Sequence, residues 1–451
     1  MVGEDRDVRW IGADHELDSR DLGRWLRGLN DDIVLVIDDA DTFGHGLSDL
    51  VADAQASRSQ VLLVLGMRAL QADRVLHDWQ ANGKDQVEVN VPQLADDDIV
   101  LLLEALEKDN KLGVLKPLKH NERVERIRRE CGRELLVAMF EATTGERFEA
   151  KLADEFSELE PEQRLIYAII AIATDLRAYL LRDEILMASG DLSNTCLNAL
   201  DRLAAGGLIV SEQRGYKLRH RRIAELIVAR LRNSAEMLSP YRGLLRAMSV
   251  RYCTRRQRSR ERRLFTALLS HKRIGHTFST GDARSLYQDL EQACADDYHF
   301  WLQRGSYEVQ FASLSLARNW LAQAKAGDGA NDHRVQTEWA YYLLKSARQD
   351  PNSSDASEHV AEGKQILADY IQGYGERDPY PYHVYGSQLF GWTQAASLSD
   401  EERGRELRAI IEVLREGTSK HPGEQELKIL LRDLERALLM LSVPARQRPS
   451  Q

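Results

Sequence analysis

The sequence predicts a predominantly α-helical protein that opens with a small parallel α/β sheet. Three observations carry this reading. Residues 33–37, Ile-Val-Leu-Val-Ile, form an unbroken apolar run rich in β-branched types, the pattern of a strand buried on both faces. The helical pattern "SRDLGRWLRGL" precedes it, and a second helix around Leu47–Ala56 leads to another apolar strand, "QVLLVLGMR", at Gln60–Arg68. Strand, helix, strand in that order gives parallel pairing with a right-handed crossover. Beyond Ser234 the apolar spacing is helical throughout.

The remaining elements follow in chain order. "VEVNV", Val87–Val91, reads as a further short strand. After Pro92 an acidic first turn and helical spacing start a helix near Asp96, and helical pattern continues to about Gly145. From Leu159 to Leu231, "PEQRLIYAIIAIATDL", "RDEILMAS" and "SNTCLNALDRLAAGG" are three helices. A hairpin turned at Arg214-Gly215 and the helix "HRRIAELIVARL" complete a winged helix-turn-helix arrangement. In "WLQRGSYEVQFASLSLARNWLAQAK", Trp301, Gly305, Ala317, Leu321 and Ala324 have the offsets of a tetratricopeptide-like helical hairpin. Tyr382 and Gly386 open a later unit, and residues 419–438 read as a final capping pair. The expected domains are 1–93 (sheet), 94–150 (helical lid), 151–235 (winged helix), 236–290 (helical connector) and 291–445 (helical repeats).

Bulk properties exclude several classes. The 451 residues suit two to four domains, and 43% are apolar, enough for sizeable cores. The longest apolar runs fall well short of the roughly 18 residues that a membrane span requires. "MVGEDRDVRW" is no secretory leader. A net charge of −10 argues against a general nucleic-acid binder. Cys131, Cys196, Cys253 and Cys294 stand far apart with no CxxC pair, as reduced thiols of a cytoplasmic protein do.

The chemistry concentrates at "DDIVLVIDDADTFG", where Asp38 and Asp39 end the inner strand. At that place they either mark the strand's exit and cap the next helix, or face an active site. The stretch resembles the Walker B segment of P-loop nucleotidases, specifically the signal-transduction NTPases with numerous domains (the STAND class). The resemblance implies that Asp38 orders Mg²⁺ through water and that Asp39 positions the attacking water. It also makes Arg68, at the end of "LGMR", a sensor of the terminal phosphate. "GRELLVAM", Gly132–Met139, sits where the lid's Gly-x-Pro motif lies, with Glu134 in place of the proline. "YKLRHRRIAELI" takes the place of Met-His-Asp, with Arg219, His220 and Arg221 at those positions, and His220 would donate to the β-phosphate of ADP.

The same resemblance implies ATP/ADP and Mg²⁺ as ligands, a protein partner or other ligand on the helical repeats, and self-association of the active form. Its closest flavour is a bacterial subgroup linked to conflict and antiphage defence. No GxxxxGK[ST] loop occurs anywhere in the 451 residues. The expectation is therefore a chain that begins inside the nucleotidase domain and does not hydrolyse ATP alone.

Other chemistries fail on their residues. "DADTFG" lacks the ligands of a calcium loop, and neither HExxH nor GxSxG occurs. "GHGLSD" and "GDGAND" miss the third glycine of a dinucleotide fingerprint. Two further functional readings stay open. One is an interaction scaffold whose nucleotidase part is a relic. The other is a winged-helix nucleic-acid regulator, although the candidate recognition helix carries Arg202 beside Asp201. The stretch Arg251–Arg263, with seven arginines, can track a phosphate backbone, line a solvated helix face or meet an acidic partner; the last two are favoured.

Overall fold

A computed structural model describes residues 7–11, 19–29, 31–38, 40, 46–57, 60–67, 87, 89, 94–109, 111–129, 148–190, 194–212, 215–232, 234–254, 260–376 and 378–442. The protein is mainly helical, with a small parallel sheet near its N-terminus. Two compact units are present, one running to Ala247 and the other beginning at Met248. Among the described residues no helix is long and apolar enough to cross a membrane.

In the first unit, β1 (Asp7–Ile11), β2 (Ile33–Ile37) and β3 (Val61–Leu65) pair in parallel in the order β1-β2-β3. The register runs without a bulge from Asp7–Ile33–Val61 to Ile11–Ile37–Leu65. Helices α1 (Ser19–Arg27) and α2 (Gly46–Gln55) make the two crossovers. Because both crossovers step the same way across the sheet, right-handedness places both helices on one face. They pack side by side. Gly23 leaves no room for a Cβ against Asp53, Arg27 reaches Asp53 at 3.4 Å, and Ser57 donates to the Leu26 carbonyl at 2.9 Å. Leu22, Leu26, Leu47 and Leu50 of the helices are buried, as are Ile33, Leu35 and Ile37 of β2.

β2, β3 and α2 fall where the sequence places them. β1 has no counterpart among the expectations, because "DVRWI" is short and alternates charged with apolar side chains. Val87 and Val89 of the expected strand 87–91 are exposed and outside any described strand; its other residues lie outside the described set.

Helix α3 (Asp96–Lys108) begins at the expected acidic turn, where Asp98 accepts the Ala95 N–H at 2.8 Å and so satisfies an otherwise orphan donor. It shares a small core with α4 (His120–Arg129), built from Ile99, Leu103, Leu106, Leu112, Leu115 and Ile127. Next come α5 (Phe148–Glu158), α6 (Pro161–Asp175), α7 (Arg182–Ser189), α8 (Asn194–Ala205), the hairpin β4 (Ile209–Glu212) and β5 (Gly215–Leu218), and α9 (Arg221–Leu231). α6 is buried on every side from Ile166 to Thr174, which is why it reads as nearly continuous apolar sequence. Thr174 Oγ1 accepts the buried Leu218 N–H at 3.0 Å and ties the hairpin to this central helix. Gly215, at φ +142°, supplies the backbone conformation that the hairpin turn needs.

Helix α10 (Ala235–Thr254) leads to the second unit, α11 (Arg260–Leu269), α12 (His271–Thr277), α13 (Thr280–Leu290), α14 (Tyr298–Phe311), α15 (Leu314–Lys325), α16 (His333–Gln349), α17 (Ala356–Tyr374), α18 (Tyr380–Ala395), α19 (Asp400–Lys420) and α20 (Gln425–Ser442). The expected α14–α15 hairpin is present. A Cβ on Gly305 would lie 2.7 Å from Leu321, so only glycine lets the two helices approach this closely, and Ala317, Leu321 and Ala324 are wholly buried. Gly386 plays the same part between Leu414 and Leu430 further along. A continuous apolar core runs from Ala340 to Leu434.

Candidate functional site

The carboxyl end of the parallel sheet presents Asp38 to solvent one residue beyond β2. Backbone bonds fix it there. The Asp38 N–H donates to the Ile11 carbonyl at 2.9 Å, the Gly66 N–H to the Ile37 carbonyl at 2.8 Å, and the Ala40 N–H to the Gly66 carbonyl at 2.8 Å. The three strand ends are thereby stitched around Asp38. A Cβ on Gly66 would sit 3.1 Å from Asp38 Oδ1, tighter than an ordinary contact, so a glycine suits the position beside this carboxylate. Gly66 was not singled out by sequence, because its role arises only when β3 lies beside β2. The only signal is the glycine that ends an apolar strand.

Asp39, Arg68 and Gly132, together with the rest of Gly132–Met139, lie outside the described residues. His220 is exposed and caps α9. Its Nδ1 accepts the Arg222 N–H at 3.1 Å, which leaves Nε2–H as the ring's donor. The preceding Arg219 pairs with Glu155 at 3.0 Å, beside Tyr167, whose hydroxyl burial pushes up to about 12. Arg221 pairs with Glu225 at 3.3 Å. The segment expected to carry a phosphate contact is thus a firmly held helix start with one imidazole donor on its surface.

A single carboxylate at a strand end does not hold a divalent cation by itself, since such ions take six or more oxygens. Among the described residues, no group of three His, Cys, Asp or Glu side chains is placed to hold a metal by itself. A shallow depression of about 450 Å³ lies between α1 and α2, lined by Arg24, Arg27, Asp49, Ala52 and Asp53 rather than by Asp38.

The sheet carries a second feature that sequence did not reveal. Its register aligns Val8, Val34 and Leu62 in one row and Trp10, Val36 and Val64 in the next, on the face opposite Ile33, Leu35 and Ile37. Val8, Trp10, Leu62 and Val64 are 55%, 64%, 44% and 45% exposed. Parallel sheets are normally covered on both faces.

The proposed nucleic-acid elements are largely occupied. Arg202 of α8 reaches Glu160 at 3.4 Å, and its neighbour Asp201 pairs with Arg182 at 3.3 Å. In the basic stretch, Arg260 is buried and pairs with the buried Glu261 at 3.4 Å, while Arg262 lies over the Tyr252 ring at 5.8 Å. Arg255, Arg256 and Arg258 lie outside the described residues. Comparison with protein-family models, curated proteins and solved structures finds no match to this chain.

Proposed function

We propose that the chain is the back part of a STAND-type nucleotide-controlled signalling switch, acting in the cytoplasm in bacterial defence or signalling. Residues 1–93 belong to a P-loop nucleotidase core, 94–150 to its lid, 151–235 to a winged helix, and 291–445 to a tetratricopeptide-like sensor. The observation that carries this reading is the strand tip. An exposed aspartate closes the central strand of a parallel sheet, with Gly66 packed close beside it. The apolar side chains that β1 and β3 expose on one sheet face are in keeping with a strand set of a nucleotidase core.

In this reading Asp38 orders a magnesium ion through water and His220 donates Nε2–H to the β-phosphate of ADP. Bound ADP keeps lid and winged helix in the resting arrangement. A ligand on the repeats favours the ATP-bound form, which self-associates. Hydrolysis by this chain alone is not expected. A calorimetric ADP titration in the presence of Mg²⁺, on the chain joined to a phosphate-loop segment, tests the idea. Asp38→Asn and His220→Ala should each weaken binding by about tenfold, the loss of one charge-assisted contact. Binding unchanged by both substitutions would leave the scaffold reading in its place.

A further inference from the structure

β1 is an edge strand, and among the described residues it pairs with β2 alone. The Asp38 N–H donates to the Ile11 carbonyl, so Ile11 turns its polar backbone toward β2. Strand alternation gives Asp7 and Arg9 the same direction and points the N–H and C=O of Val8 and Trp10 outward from the sheet. An open edge of this kind is a template for another strand. Val8 and Trp10 are exposed on one face, and Asp7 and Arg9 keep about half of their side chains exposed on the other.

Charged side chains usually guard such edges by repelling a second strand. β1 instead carries one acid and one base two positions apart, and Arg9 Nε reaches Asp7 Oδ2 at 2.8 Å along the strand. Two copies related by a two-fold axis meet with their edges antiparallel, and the axis passes through one residue pair. Centred on Arg9, the pairing sets two guanidinium groups against each other. Centred on Trp10, it sets Arg9 against Ile11. Centred on Val8, it sets each Asp7 against Arg9 of the second copy.

That last register also suits the backbone. The outward N–H and C=O groups of the two Val8 residues exchange hydrogen bonds, and Asp7 and Arg9 fall in the close, non-hydrogen-bonded pairs, with Cα atoms about 4.5 Å apart. On the other face Trp10 lies diagonally across from Val8 of the second copy, within reach of its ring. β3, at the opposite edge, reads Val-Leu-Leu-Val-Leu and has no charge pair to fix a register.

We infer that β1 is a self-association edge whose partner is a second copy of this chain. The two sheets join antiparallel through β1 in the register centred on Val8, held by reciprocal Asp7–Arg9 ion pairs and an apolar cluster of Val8 and Trp10. The seam is short, so the dimer is reversible. It needs no nucleotide, so its failure leaves the nucleotide reading untouched.

Sedimentation equilibrium of the full chain without nucleotide, carried up to the solubility limit, tests the joint. Arg9→Asp and Asp7→Arg should each weaken dimerisation about tenfold, because both ion pairs become repulsions. The double exchange, Asp7→Arg with Arg9→Asp, should restore it, a rescue that a merely destabilising substitution would not show. Mixing Asp7→Cys chains with Arg9→Cys chains under oxidation should give a disulfide between positions 7 and 9 of different chains, located by mass spectrometry. A chain that stays monomeric overturns the proposal. So does a dimer indifferent to both charge reversals, a double exchange as weak as the single ones, or the absence of the mixed disulfide.

Discussion

The sheet near the N-terminus and the helical array beyond Met248 solve the burial problem differently. In the array, close helix contacts at Gly305 and Gly386 let large side chains interlock, and the core from Ala340 to Leu434 is continuous. The sheet packs α1 and α2 on one face, while on the other Val34 of the central strand is buried but Val8, Trp10, Leu62 and Val64 of the edge strands are exposed. Each helical hairpin can complete itself from neighbours in sequence. A parallel sheet needs a second layer that two same-handed crossovers cannot supply. The array therefore completes its burial from its own helices, whereas among the described residues the edge strands of the sheet keep apolar side chains exposed on one face.

This contrast can be broken by substitution. The largest effect is expected in the array, where Leu321→Ala removes a wholly buried side chain packed on Gly305. It should cost about 2–5 kcal/mol in urea unfolding. In the first unit Thr174→Val keeps the volume but orphans the buried Leu218 N–H. A loss of about 1–3 kcal/mol is expected there, and a neutral result would mean that the hairpin is not tied to α6.

Acid should weaken the array next. Burial lowers the pKa of both His271 and His299, so the folded state prefers them neutral while the unfolded chain protonates them first. Their contribution is full above the unfolded value of about 6.5 and is lost as pH falls through the lowered folded values. The urea midpoint of the array should therefore fall on acidification from neutral pH, and replacing both histidines by Gln should flatten that dependence. The smallest effect is expected on the open face. Trp10→Ser and Val64→Thr should change stability by only about 0.5 kcal/mol and should reduce aggregation. A loss as large as that of Leu321→Ala would show the face to be covered.

Much of the fold was legible in the sequence because it is written locally. The apolar run Ile33–Ile37, the acidic turn at Asp96, the apolar helix 161–175 and the small residues Gly305 and Ala317 each fix an element through nearest neighbours. Features that depend on register across the chain were not legible. β1 is too short to stand out, and Gly66 acquires its role only beside Asp38. The alignment of Trp10 with Val36 and Val64 exists only in the paired sheet. Glu338 looks like any charged helical residue until Tyr380, forty-two positions later, is brought onto it.

The measurement closest to the central claim is hydrogen exchange on the chain joined to a phosphate-loop segment, with and without Mg²⁺-ADP. Nucleotide held between the strand tip and the capped helix should slow exchange at residues 38–40 and at 221–223 together, and Asp38→Asn should abolish both effects. Exchange at those two places unaltered by nucleotide would contradict the account, whatever happens elsewhere in the chain.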